Sequence, residues 1–136
     1  MPKPGELYRS DEEVLGVVRR FESCELPPAD FNHREHLLVA LCYLRRMGES
    51  DALDRVRAHG VNPNLYHETI TVFWLKRVRA YAERVGPGRG LAEMTNALAD
   101  ECGRSRLIFD YYSKELIDTE TARRQWVEPD LKPLDF

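Results

Sequence analysis

The stretch LYHETITVFWLKRVRAYAERV, residues 65–85, decides the fold class of this chain. Its apolar residues recur every three or four positions, as they do on one face of an α-helix. They form one stripe, made of Ile70, Trp74, Val78, Tyr81 and Val85. The opposite face is charged and contains Lys76, Arg77, Arg79 and Glu83. This pattern predicts a long amphipathic helix with one face in a core.

Helical patterns recur on both sides of this segment. They predict further helices over residues 11–23, 31–47, 50–60, 90–102, 105–116 and 119–126. Ser10 and Glu13 form a capping box at the start of the first of them. Prolines disfavour a helix in residues 1–9, predicted to be a loose arm, and in residues 127–136, predicted to be an extended tail. With no strand pattern and no repeat, residues 1–136 are expected to form a single-domain, all-α compact bundle of five to seven helices.

Composition narrows the class of protein further. The hydrophobic share of 43% and the charged share of 32% are typical of a globular domain. A net charge of −3 weighs against nucleic-acid binding. Residues 1–13 contain no apolar segment of the kind that signal peptides have, so we expect no signal peptide. The longest apolar run, Leu37–Leu44, is too short for a membrane span. We therefore expect a cytoplasmic protein with neither a nucleic-acid nor a membrane partner.

The cysteines do not indicate a disulfide framework. Cys24, Cys42 and Cys102 are an odd number and lack the C-x-x-C spacing. Each is therefore predicted to be a small buried hydrophobe, because an unpaired cysteine behaves as one.

Three of the four histidines fall on predicted core-facing stripes, near the starts of two helices. His33 and His36 are three residues apart, so their rings are expected to lie side by side. His67 lies on the stripe of the 65–85 helix, with Glu68 on its flank. An inward histidine needs a partner, because its desolvation otherwise goes uncompensated. His59 ends the third helix, where a cation complements the helix dipole.

A metal ion is one partner that would satisfy the three inward histidines. Imidazole binds zinc, iron, nickel and copper, and helix bundles build metal sites from side chains on facing helices. His33, His36 and His67 are accordingly predicted to bind a divalent transition metal whose identity the sequence does not distinguish. Glu68 is predicted to be the fourth ligand or the general base. This hypothesis makes the protein a small metal-binding protein and a candidate metalloenzyme.

Two other interpretations stay open. In the first, His67 moves a proton without a metal, together with Glu68 or a facing histidine. In the second, the protein is a non-catalytic ligand-binding or regulatory module, and the histidines are core residues satisfied by neighbouring groups. Its ligand would then occupy the groove between the second and fourth helices. A small-molecule ligand and a homodimer are compatible with the sequence.

Three short motifs resemble landmarks of a family of small bacterial proteins with no established activity. They are F-x-H-x-x-H-L at residues 31–37, Y-H-E-T at residues 66–69 and W-x-x-P-D-L at residues 126–131. The resemblance covers about residues 31–134. It implies no substrate, but it does imply that these three segments belong together.

Overall fold

The computed structural model describes residues 1–59, 66–86 and 88–136. As the sequence predicted, these residues form an all-α bundle, and no β-strand occurs among them. The described part of the chain contains seven α-helices: α1 (Asp11–Glu22), α2 (His33–Leu44), α3 (Glu49–His59), α4 (Glu68–Val85), α5 (Leu91–Cys102), α6 (Lys114–Ile117) and α7 (Glu120–Arg124). Two 3-10 helices, Pro28–Asp30 and Ser105–Asp110, precede α2 and α6.

The helix boundaries differ from the predicted ones by a few residues. α2 is shorter at its carboxyl end, and the end predicted for the third helix at Gly60 lies outside the described residues. The helix predicted over residues 105–116 is instead a 3-10 helix followed by the single turn of α6. The chain restarts there because the Ser113 side chain caps α6 by accepting the Leu116 backbone N–H.

α2 is the central helix of the bundle. It contacts α1, α3, α4 and α5, and every residue from Leu37 to Tyr43 is buried. A helix that is apolar on all sides is one surrounded by other helices, so a single core-facing stripe does not describe α2. α4 also buries more than its predicted stripe, including Val72, Phe73 and Leu75.

Two apolar clusters form the core. The larger one lies among α1, α2, α4 and α5. The smaller one joins Phe73 of α4 to Tyr111 and Tyr112, with Leu134 and Phe136 of the tail packed against it. Trp74 packs against both clusters. α4 therefore connects the central helices to the carboxyl-terminal part of the chain.

Residues 1–9 contain no helix and are fastened to α2 and α5. Tyr8 is buried, and it exchanges two hydrogen bonds of 2.9 Å with the Asn96 side chain through its backbone N–H and carbonyl. The Arg34 guanidinium donates to the carbonyl oxygens of Pro2, Lys3 and Glu6. This arm is therefore held at both of its ends.

The non-helical tail packs back onto the bundle. The backbone N–H and the hydroxyl of Ser113 donate to the Asp130 carboxylate at 2.7 and 2.6 Å. The Leu131 N–H donates to the Tyr111 carbonyl oxygen at 2.9 Å. These contacts bring the tail across the short helices that precede it.

Candidate functional site

His67 is the N-cap of α4 rather than a member of its core stripe, because the helix begins one residue later. Its Nδ1 accepts the Ile70 backbone N–H at 3.1 Å. Its Nε2 lies 2.7 Å from the Ile117 carbonyl oxygen and donates to it. Both ring nitrogens are thus engaged, which assigns the neutral tautomer with its proton on Nε2. The ring joins the start of α4 to the end of α6.

His33 makes the corresponding contact at the end of α5. Its Nε2 donates to the carbonyl oxygen of Cys102, the last residue of that helix, at 2.9 Å. The ring packs edge-on against Trp74, with 4.5 Å between the centroids. Burial lowers the pKa of His33 below its usual value, and the Cys102 carbonyl partly opposes this shift. The neutral ring is therefore the form that the fold favours.

His33 and His67 share one structural task. Each donates to a carbonyl at the carboxyl end of another helix, where the last four carbonyls lack partners within their own helix. The helix dipole makes this end electronegative, so an N–H donor stabilises it. The acceptors lie 69 and 50 residues away in the sequence, so no local pattern could have identified them.

His36 is exposed, although the sequence placed it on the core side of its helix. Its ring stacks on Phe31 with 3.9 Å between the centroids and 25° between the planes. The helical wheel predicted the wrong orientation for His36 because α2 is apolar on nearly every side. The wheel therefore does not separate buried from exposed positions on this helix. The phenylalanine and the second histidine of the F-x-H-x-x-H-L motif thus contact each other.

Glu68 is the first residue of α4, and its carboxylate is engaged by neighbours. Arg57 of α3 donates to it through Nε at 3.2 Å and through a second guanidinium nitrogen. The Tyr66 hydroxyl donates to it at 2.6 Å. Burial and this hydrogen bond raise the pKa of Tyr66 to about 12, so the phenol stays a donor. The carboxylate is therefore bound by three donors, and its visible role is to clamp α3 onto α4.

Thr69 completes the Y-H-E-T motif. Its side chain is fully buried, and the hydroxyl lies 2.7 Å from the Ala122 carbonyl oxygen and 2.8 Å from that of Gln125. The hydroxyl oxygen also accepts the Val127 backbone N–H at 3.3 Å. Thr69 therefore docks α7 and the beginning of the tail onto α4, next to the W-x-x-P-D-L motif.

The structure does not bring the predicted metal ligands together. Across residues 1–59, 66–86 and 88–136, no group of three or more His, Cys, Asp or Glu side chains is arranged to hold a metal ion. His67 fits the role poorly, because metal binding through either ring nitrogen would break one of its two hydrogen bonds. The metal role of His33, His36 and His67, and the role of Glu68 as ligand or base, stay predictions without geometric support.

Sequence reasoning missed Glu35, a carboxylate of α2 that is only 1% exposed. It accepts the Tyr8 hydroxyl at 2.9 Å and Arg34 Nε at 2.8 Å. Burial and the carboxylate raise the pKa of Tyr8. The signal was present in the spacing, because Glu35 precedes the buried Leu38 and Val39 by three and four residues and shares their face. Its partners show a structural role in fastening residues 1–9.

A surface groove runs beside α4. Two adjacent concavities of about 380 and about 430 Å³ share the lining residues Glu49, Arg79 and Glu83, and together they are here called the α4 groove. Its tryptophan end is lined in addition by Lys76, Ala80, Trp126, Glu128, Leu134 and Phe136. Its methionine end is lined in addition by Leu44, Arg45, Met47, Gly48, Ala82, Gly86 and Met94. Each volume is within the range of ligand pockets.

The charged groups of the α4 groove hold one another in place. Lys76 Nζ lies 3.2 Å from a Glu49 carboxylate oxygen and 5.5 Å from the centre of the Trp126 ring. Arg79 lies 2.9 Å from Glu83 and 3.7 Å from Glu49. The side chains in the middle of the groove are thereby oriented without a ligand.

The chain matches no protein-family model, no curated protein and no solved structure. Among the described helices, none combines the length and the apolar character needed to cross a membrane.

Proposed function

We propose that this protein is a non-catalytic binding module and that the α4 groove is its binding surface. The observation that carries the proposal is that the residues predicted for chemistry are used to hold helices together. His33 and His67 cap α5 and α6, and Glu68 is clamped by Arg57 and Tyr66. These contacts favour the interpretation in which the histidines are satisfied structural residues.

The α4 groove has the composition of a recognition surface. Ligand sites combine apolar walls with a few oriented polar groups. Trp126 and Phe136 supply apolar surface at one end, and Met47 supplies it at the other. The pairing of Arg79 with Glu83 lowers the cost of ordering these side chains when a ligand binds.

The test is a screen of low-molecular-weight fragments against the full chain, followed by two-dimensional amide NMR. We expect fragments to shift the signals of residues that line the α4 groove. Ala80→Phe fills the groove with a large side chain and should abolish these shifts. Ala58→Phe is the matched control, because Ala58 is an exposed helical alanine outside the groove lining.

Fragments that bind Ala80→Phe as well as the wild type would show that the groove is not the binding surface. Shifts confined to the surroundings of His33, His36 and His67 would place the binding site at those residues instead of in the α4 groove. Either result would contradict the proposal.

A further inference from the structure

We infer that the α4 groove takes a short peptide segment, with a basic residue at the tryptophan end and an apolar residue at the methionine end. This inference rests on the proposed function, because it names the class of ligand for the same groove. The length of the groove, its charge and the difference between its two ends support it.

The length of the groove exceeds that of one side chain. Its lining on α4 extends from Lys76 to Gly86, and a helix rises about 1.5 Å per residue, so the distance along the axis is about 15 Å. An extended peptide advances about 3.3 Å per residue. About five residues of a peptide would therefore span both ends.

The tryptophan end carries more negative than positive groups. Its carboxylates are Glu49, Glu83 and Glu128, and its cations are Lys76 and Arg79. Both cations are already paired, one with Glu49 and the other with Glu83. A cationic ligand group therefore meets a carboxylate excess at this end.

Glu128 is the carboxylate that remains for the ligand. It accepts the Trp126 indole N–H at 3.0 Å, and within the described residues it has no ion-pair partner. An exposed carboxylate without an ion-pair partner is suited to a guanidinium or an ammonium group, because charge-assisted hydrogen bonds to a carboxylate are strong. We assign the basic residue of the peptide to this position.

The methionine end suits an apolar residue. Leu44, Met47 and Ala82 line it, and thioether side chains adapt to ligands of varied shape. Its one added cation, Arg45, is occupied, because it donates to the Arg89 carbonyl oxygen at 2.9 Å. The two ends therefore differ in chemistry, and this difference sets the direction of the peptide.

The test is selection from a displayed library of random seven-residue peptides on the full chain, followed by calorimetric titration of the enriched peptides. We expect enrichment of lysine or arginine near one end and of an apolar residue about four positions away. Glu128→Lys should lower the affinity for the basic peptides about fivefold. This corresponds to about 1 kcal/mol, because the substitution removes an exposed ion pair and adds a repulsion. The same variant should favour peptides in which glutamate replaces the basic residue.

Glu115→Lys is the matched control. Glu115 is an exposed carboxylate of α6 outside the groove lining, and its substitution changes the net charge by the same amount. It should leave the affinity within about twofold of the wild type, because the long-range charge effect is equal in the two variants.

The outcomes separate this inference from the proposed function. One outcome is that Ala80→Phe abolishes peptide binding while Glu128→Lys and Glu115→Lys change the affinity equally. It would overturn the assignment of the basic residue and keep the groove as the binding surface. Enrichment of acidic peptides would overturn the peptide inference. The same holds if no peptide is enriched although fragments are found that bind the groove. Ligands that ignore Ala80→Phe would overturn both.

Discussion

Replacing His67 with alanine removes two hydrogen bonds that connect different helices. Loss of the N-cap of α4 costs about 1 kcal/mol. The Ile117 carbonyl at the end of α6 then loses its side-chain donor, which costs about a further 1–2 kcal/mol. We therefore expect His67→Ala to lower the free energy of unfolding by about 2–3 kcal/mol.

His67→Asn is the control that separates the two contributions. Asparagine is a strong N-cap residue, so it keeps the bond to the Ile70 N–H, but its side chain is shorter than that of histidine and does not reach Ile117. Its stability should fall between those of the wild type and His67→Ala, with about 1 kcal/mol regained relative to alanine.

The assay is equilibrium unfolding in urea, followed by circular dichroism, on protein treated with a chelator. The transition midpoint should shift while its slope stays constant, because the surface exposed on unfolding is unchanged. Elemental analysis after incubation with zinc completes the experiment. Wild type that binds zinc stoichiometrically, together with a His67→Ala variant that loses the zinc but keeps its chelator-treated stability, would refute the structural role and support the metal site.

Two further predictions concern Thr69 and His33. Thr69→Val should lower the free energy of unfolding by about 1–3 kcal/mol, because it leaves buried carbonyls without a donor. Thr69→Ser keeps the hydroxyl and should retain most of the stability. Equal urea midpoints for the valine and serine variants would contradict the docking role. The lowered pKa of folded His33 means that the unfolded chain binds the proton first as the pH falls. Stability should therefore decrease below about pH 6.5, the usual value for histidine, until the folded pKa is reached. His33→Gln should flatten this decrease, and an unchanged slope would count against it.

His36 adds to the same pH dependence in a smaller way. Desolvation, and next the neighbouring His33, lower the pKa of His36. Its side chain is exposed, however, so solvent screens the effect and the neutral form gains less from folding. NMR titration of the two rings separates the two contributions, since each ring reports its own proton.

The local elements of the fold could be predicted because their signals are local. The period of residues 70–85 made α4 recognisable, and the Ser10 capping box placed the start of α1, where the Ser10 hydroxyl accepts the Glu13 N–H at 3.2 Å. The orientation of residues on α2 could not be predicted in the same way. Because α2 is buried on most sides, its wheel has no single inward face, and so Glu35 is buried while His36 is exposed.

For the candidate site, too, the sequence identified individual residues but not their distant partners. The sequence identified His33, His67 and Glu68 as polar groups in unusual positions, and the structure places each of them at a helix start with a strong partner. The sequence could not identify the partners of the two histidines, because Cys102 and Ile117 are distant from them in the chain. The α4 groove was missed for the same reason, since Glu49, Lys76 and Trp126 meet only after three separate segments pack together.

The sequence by itself determined that this protein is an all-α bundle and determined most of its helix starts, because hydrophobic period and capping act over only a few residues. The tertiary structure alone decided what the histidines do. A helix end leaves carbonyls unpaired wherever it stops, and only the packing of α5 and α6 brings those carbonyls within reach of His33 and His67.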